Sequence, residues 1–267
     1  MSKIFEALQR AEQKAGTDMP QQAELDPGLK LSSDLVTLFR PGSPIAEQFR
    51  FLRTKVTRPS QGEVPRTILI TSALQGEGKT FIACNLAVAI AQGLDEHVLL
   101  VDADLRSPRV HSIFDLDNSR NGLSTYLLQK DSIGSLLHKT EISKLTVLPA
   151  GQETEQPVEI LSSQRMKSFI AEVRDRYPDR IVIFDSPPVK LAPETLVIAN
   201  EVDGIFLVVR RGSTPREEVI NTMEYFAKEK FKGVIFNGYE THGKYYRRYG
   251  KKGYAYGYGY GYGYKTA

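Results

Sequence analysis

The chain has 267 residues, 41% of them hydrophobic, enough to bury one substantial core. No window reaches the roughly 18 uncharged apolar residues of a membrane span, and Glu6, Arg10 and Glu12 stand where a secretory signal needs its apolar core. A net charge of +3, from 35 Lys and Arg against 32 Asp and Glu, is too balanced to imply a nucleic-acid partner.

Residues 1–16 read as a short amphipathic helix, with Ile4, Phe5, Leu8 and Ala11 at helical spacing and a stripe that needs a partner. Residues 17–40, polar and carrying Pro20 and Pro27, read as a linker. A helix is expected from about Pro44 to Val56, with Ser43 as its N-cap. From Arg66 onward, short β-branched runs alternate with helical patterns, the signature of a mostly parallel sheet flanked by helices. The expected strands are 67–72, 97–102, 145–149, 180–185, 204–210 and 233–238; several are apolar without alternation, as in strands covered on both faces. The expected helices are Lys79 to Gln92, Pro157 to Tyr177, Pro193 to Val202 and Pro215 to Glu229, three of them opened by proline. Cys84, the sole cysteine, lies in the first of these and is expected to be a packed thiol in a reducing, cytoplasmic setting. Residues 41–240 therefore form one α/β domain. Residues 241–267 are a tail in which Gly and Tyr alternate, with six Lys and Arg and no acid between Lys244 and Lys265, and disorder is expected there.

Chemistry concentrates at three strand ends. Ala73-Leu-Gln-Gly76-Glu-Gly78-Lys79-Thr80 follows an apolar strand and opens a helix, the setting of a phosphate-binding loop. In such a loop the glycines let backbone N–H groups converge on phosphate oxygens, the lysine reaches the terminal phosphates and the threonine hydroxyl ligates Mg²⁺. The expected nucleotide contacts are Gly76, Glu77, Gly78, Lys79, Thr80 and Phe81, although Ala73 stands where the strict pattern has glycine. Asp185 ends another apolar strand, a position suited to holding Mg²⁺ through water, although such aspartates also cap turns. Asp102 and Asp104, with Arg106 just after, end a third strand; carboxylates at i and i+2 can converge on one metal and one hydroxyl, and a solvated acidic turn is the plain alternative.

The set ALQGEGKT, VLLVDADLR and IVIFDSP closely resembles the three motifs of the bacterial tyrosine kinases that control capsule and exopolysaccharide synthesis, and the resemblance covers about residues 40 to 264. In that family the leading loop glycine is replaceable by a small residue, as at Ala73. The resemblance implies a P-loop NTPase-like fold, ATP and Mg²⁺, and autophosphorylation in trans of the tail cluster: Tyr245, Tyr246, Tyr249, Tyr254, Tyr256, Tyr258, Tyr260, Tyr262 and Tyr264. Each phosphate adds roughly −1.5 to −2 charges, so several would reverse the sign of this basic tail. A Gly/Tyr sticker segment or an RNA-contacting tail are the competing readings of the same composition. Glu47, Arg50 and Arg53 resemble the family's E-x-x-R-x-x-R helix, which implies subunit contact in a ring-shaped oligomer; without the resemblance, Glu47 and Arg50 make an ordinary surface pair worth about 0.2–0.5 kcal/mol. The chain has no span of its own, so it resembles the stand-alone type. That implies a separate inner-membrane co-polymerase or activator that recruits it, and a cognate tyrosine phosphatase. The Ile4/Phe5/Leu8 stripe has two candidate partners, that activator or the chain's own core.

For transfer from ATP to tyrosine, Lys79 and the loop amides are expected to hold the β/γ-phosphates, and Thr80 and Asp104 to ligate Mg²⁺, with Asp185 acting through water. Asp102 is expected to accept or align the tyrosine proton, with an exchange of roles between Asp102 and Asp104 left open, and Arg106 and Arg109 to steady charge or substrate. A ParA/MinD-like ATPase switch is the first rival, but Leu74 occupies the place of its signature lysine. A non-catalytic nucleotide-binding regulator of a polysaccharide assembly complex is the second.

Overall fold

The computed structural model describes residues 31–116, 121–128, 132–152, 154–175 and 179–238. The expected N-terminal helix and the whole tyrosine cluster lie outside them. Helices α1 (Val36–Phe39) and α2 (Pro44–Thr57) precede β1 (Thr67–Ser72). Helix α3 (Lys79–Ala91) leads to β2 (His97–Asp102), followed by three short helices, α4 (Val110–Ile113), α5 (Leu123–Leu127) and α6 (Ile133–Leu136). Strands β3 (His138–Lys139) and β4 (Leu145–Leu148) come next, then α7 (Pro157–Leu161), α8 (Gln164–Asp175) and β5 (Arg180–Asp185). Helix α9 (Glu194–Glu201), β6 (Gly204–Arg210), α10 (Arg216–Met223) and β7 (Phe231–Asn237) complete the described chain.

The seven strands form one sheet in the order β3-β4-β2-β5-β1-β6-β7, parallel throughout except for the β3–β4 pair. Strands β1, β2 and β5 are buried along their lengths because helices cover both faces. On one face α1, α2 and α3 pack through residues such as Leu35, Phe49, Leu86 and Ile90; on the other α8 and α9 contribute Phe169, Val173 and Ile198. Helix α3 is apolar nearly all round, as a helix between a sheet and an outer layer must be. Cys84 lies there, and burial pushes its thiol well up from the ordinary range, which fits a packed side chain.

All six expected strands are present, with β7 beginning two residues early, at Phe231, and the antiparallel β3 added at the edge. The single helix expected from Pro157 to Tyr177 is two: α7 stops at its C-cap Ser162, and the Ser163 hydroxyl accepts Met166 N–H at 3.3 Å as α8 begins. The helix expected from Pro215 to Glu229 ends at Met223. Leu35 and Val36, inside the stretch expected as a linker, are core residues. Buried Asn85 of α3 fastens them: its Oδ1 accepts Thr37 N–H and O–H at 3.1 and 3.0 Å, and its Nδ2 donates to Asp34 O at 2.8 Å. Ser43 caps α2 as expected, accepting Ala46 N–H at 3.1 Å.

Parallel order decides where the chemistry sits. With β5 between β1 and β2, the carboxyl ends of all three strands lie side by side, and Asp102 pairs directly with Asp185 in the ladder. Ligands bind parallel sheets in the crevice outside such ends.

Candidate active site

The loop 73–78 joins β1 to α3, and two glycines give it its shape. Gly76 and Gly78 have φ of 79° and 90°, where any side chain is strained. At Gly78 a Cβ would also meet Asn237 Nδ2 at 2.1 Å. Gly78 is the N-cap of α3 and no side chain caps that helix, so its first-turn N–H groups are left for an anion. The loop opens on a cleft of about 550 Å³, a size that suits a small-molecule site. Gly76, Gly78, Lys79, Thr80, Phe81 and Asp104 are on its wall, and Arg106 and Arg109 lie at the same wall.

Four of the charged groups expected to act differ in setting. Lys79 is buried, and burial pushes its ammonium below the usual amine range while Asp185, Asp104 and Glu77 pull it back up. Asp104 presents itself to the cleft, with its Oδ1 accepting Ser107 N–H at 3.0 Å and Arg106 N–H at 3.3 Å. Asp185 is 1% exposed, and neither of its carboxylate oxygens makes a full hydrogen bond among the described residues, although the Thr80 hydroxyl and the Lys79 ammonium both act on it. Burial, with a smaller push from Asp104, raises its carboxyl to about 7, against the pull of the Thr80 hydroxyl and Lys79. Asp102 is fully buried: its oxygens accept Asp104 N–H at 3.1 Å, Arg109 N–H at 3.1 Å and Val110 N–H at 3.0 Å. Burial and then the Asp185 charge push its carboxyl well up.

The structure thus gathers Lys79, Thr80 and Asp104 at one cleft with Asp185 buried beside Lys79 and Thr80, and it gives Asp102, Arg106 and the Glu77 carboxylate partners that the sequence did not show. Asp102, expected to meet the tyrosine hydroxyl, instead shapes the β2–α4 loop through three amides. Arg106, expected to steady charge, gives its guanidinium to Glu194, with Nε–Oε1 2.6 Å and Nη2–Oε2 3.3 Å. Glu77, expected to contact nucleotide, is 1% exposed and turns its carboxylate into the protein, leaving only its main chain on the loop. Glu194, the partner of Arg106, is the residue beside the site that sequence reasoning missed. It is a fully buried acid in the first turn of α9, and nothing local in the sequence marks its partner 88 residues earlier.

A buried carboxylate with both oxygens unpaired is costly unless a cation completes it. The donor set fits Mg²⁺: hydroxyl and carboxylate oxygens around a phosphate-binding loop, where the ion keeps waters and shares phosphate oxygens rather than sitting in a protein cage. No cluster of three His, Cys, Asp or Glu side chains poised to hold a metal occurs among the described residues.

At α2, Glu47 and Arg50 form an ion pair within the helix, and Arg50 Nη2 also donates to Pro41 O at 2.7 Å. Arg53 Nη1 donates to Ala89 O at 3.2 Å, so this side chain ties α2 to the last turn of α3. Among the described residues no helix is long and apolar enough to cross a membrane.

Residues 65–210 match the family described as AAA domain. The tyrosine-protein kinase YwqD of Bacillus subtilis is 37% identical over 213 residues, which cover 79% of this chain and 88% of that protein. Among solved structures, the kinase domain of the Escherichia coli tyrosine kinase ETK superposes with a TM-score of 0.72 at 31% identity, covering 85% of this chain and 84% of that one. The cell division ATPase MinD of Pyrococcus furiosus shares the fold alone, with a TM-score of 0.54 at 21% identity over 64% of this chain and 70% of its own.

Proposed function

The chain belongs to the bacterial tyrosine-protein kinases, and from that premise we propose that it transfers the γ-phosphoryl group of ATP to the tyrosines of its own C-terminal segment, in trans between copies. The observation that carries the reading is the buried Asp185 carboxylate, without a full hydrogen bond and acted on by Lys79 and the Thr80 hydroxyl at the foot of a glycine-shaped anion loop.

Phosphoryl transfer asks little covalent chemistry of a protein and much positioning. The amides of 76–80 and the Lys79 ammonium hold the β- and γ-phosphates, and the dry setting of Lys79 strengthens its attraction for them. Thr80 and Asp104 would ligate Mg²⁺ and Asp185 would hold it through water; the ion, when bound, neutralises charge between the two phosphates. Asp104 is the strand-end carboxylate on the cleft wall, so it also takes the role of orienting the incoming tyrosine hydroxyl, and Asp102 acts through it by offering its acceptors to the loop amides. Arg109, at the cleft, is free of the ion pair that engages Arg106 and is placed to meet charge on the acceptor side.

Tyr245, Tyr246, Tyr249, Tyr254, Tyr256, Tyr258, Tyr260, Tyr262 and Tyr264 are the proposed acceptors. The wider role is control of exopolysaccharide or capsule polymerisation or export, with a separate inner-membrane activator, a cognate phosphatase and a ring-shaped oligomer joined through the Glu47/Arg50 face. Leu74 in place of the switch lysine speaks against a dimerisation-switch ATPase, since a leucine side chain carries no charge to offer a nucleotide across a dimer.

Radiolabel transfer from γ-labelled ATP tests the core of this. Lys79→Met is expected to lose transfer by on the order of a hundredfold or more, and a chain truncated before Tyr245 to accept no label. Mixing the two is expected to restore label, on the Lys79→Met chain. Label retained by either chain alone overturns the assignment, and no label on mixing overturns transfer in trans.

A further inference from the structure

An acid inside an anion-binding loop is an electrostatic oddity. Glu77 lies between the two left-handed glycines, where its charge repels any phosphate the loop receives. It is tolerated because the carboxylate points the other way and is fully engaged. Oε2 accepts Leu74 N–H at 2.9 Å, from the start of the same loop. Oε1 accepts Arg210 N–H at 3.3 Å, at the end of β6, and the Thr214 hydroxyl in the connection to α10. Two further bonds run between the same parts: Arg210 Nη1 to Gly76 O at 3.1 Å, and Asn237 Nδ2, at the end of β7, to Glu77 O at 2.8 Å. Five bonds thus fasten residues 74–77 to each other and to the ends of β6 and β7, on the side away from the β2 and β5 carboxylates.

We propose that Glu77 is a positioning residue: its buried carboxylate clamps the phosphate-binding loop onto the Arg210–Thr214 segment and so pre-arranges the loop amides for a triphosphate. Without it, Gly76 and Gly78 leave the loop the freedom that glycine always carries, and that freedom has to be lost on binding. This rests on the reading of the loop as the triphosphate receptor. The reaction itself is untouched, since the Glu77 carboxylate, which alone the clamp uses, meets neither phosphate nor acceptor.

The two effects of the charge have opposite signs, which makes the clamp testable. If Glu77 were only a bystander charge, Glu77→Gln would leave nucleotide binding unchanged or tighten it. As a clamp, Glu77→Gln places an amide NH₂ against a donor and is expected to weaken MgATP binding roughly tenfold, the fold-change of leaving one buried polar group unmatched. Thr214→Val is expected to weaken binding in the same direction, and Thr214→Ser, which keeps the hydroxyl, to bind as wild type does. In turnover the loss is expected in KM for ATP, with kcat at saturating ATP retained. Hydrogen exchange at Leu74 N–H, in protein without nucleotide, is expected to speed up in Glu77→Gln and Thr214→Val only.

Calorimetry with MgATP on the four full-length chains decides it. Wild-type protein that binds, with both Glu77→Gln and Thr214→Val binding as tightly, overturns the clamp and leaves the receptor reading standing. Wild-type protein that takes up no nucleotide overturns both. Should Glu77→Gln not fold, the Thr214→Val and Thr214→Ser pair decides instead: equal affinity in the two overturns the clamp, and a Val-only loss supports it.

Discussion

Two acid–arginine pairs differ chiefly in where the acid sits. Under Arg106, at the rim of the cleft, Glu194 is 0% exposed, whereas Glu47 and Arg50 on α2 are 49% and 41% exposed. The exposed pair exchanges water contacts for a contact of nearly equal worth and decorates a helix. The rim pair joins two segments far apart in sequence, the loop after β2 and the start of α9, and its acid has no water to fall back on. Asp185 carries the trend to its end, since it is nearly as buried as Glu194 and makes no full hydrogen bond among the described residues, with the Thr80 hydroxyl and the Lys79 ammonium left to act on it. The series from paired and wet, through paired and dry, to unpaired and dry is also a series from surface to catalytic centre. Strain of this kind at functional sites is held in place by the surrounding fold.

The largest effect is expected at the unpaired end. A carboxyl raised from 3.8 to about 7 costs the nucleotide-free fold up to about 4 kcal/mol near neutral pH. The sign follows from proton counts: between about pH 4 and 7 the folded chain keeps a proton that the unfolded chain has released, so stability falls as pH rises through that window. Asp185→Asn is expected to flatten this fall and to stabilise the nucleotide-free chain at pH 7.5. The same variant is expected to lose the gain in nucleotide affinity that Mg²⁺ gives wild type. Urea unfolding in EDTA at pH 5 and pH 7.5 reads the first effect; an unchanged pH dependence in the variant would mean that Asp185 is not the isolated acid.

A smaller effect is expected from the paired and dry acid. Arg106→Ala leaves Glu194 without its partner and is expected to cost about 2–3 kcal/mol, below the figure for a fully enclosed pair because Arg106 itself is half exposed and water can follow its removal. Adding Glu194→Gln is expected to recover part of that loss. If the single variant unfolds at the wild-type denaturant midpoint, the rim pair is no different in kind from the pair on α2.

What was legible in the sequence follows the same division. The strands and the phosphate-binding loop were readable because local patterns specify them: unalternated β-branched runs between breakers, and glycines set between a strand and a lysine. Asp104 and Asp185 were readable as strand-end acids, and the parallel order then made them neighbours. The break between α7 and α8 was available in principle, since Ser162-Ser163 offers a C-cap followed by a hydroxyl that receives the next helix's N–H. The short helices α4, α5 and α6 had no such signal, because four or five residues make no periodic stripe and tertiary contacts hold them. The partners of Asp102, Arg106 and Glu77 were not legible for one reason. Sequence spacing says which charges approach a site but not which way each faces, and the partners that turn Arg106 and Glu77 aside lie 88 and 137 residues away.

The smallest effect tests the wet end. Glu47→Ala removes the α2 ion pair while leaving the Arg50 bond to Pro41 O and the Arg53 bond to Ala89 O in place. Fold stability is expected to change by no more than about 0.5 kcal/mol, as for exposed helix pairs three apart. If the same face joins copies into a ring, removing Glu47 leaves the Arg50 guanidinium unbalanced at each junction, and the cost recurs at every subunit contact. Sedimentation velocity is therefore expected to show the variant shifted toward smaller species at a concentration where its unfolding midpoint is unmoved. A wild-type sedimentation profile would return Glu47 and Arg50 to the role of an ordinary surface pair, and the ring, if it forms, would have to close through other residues.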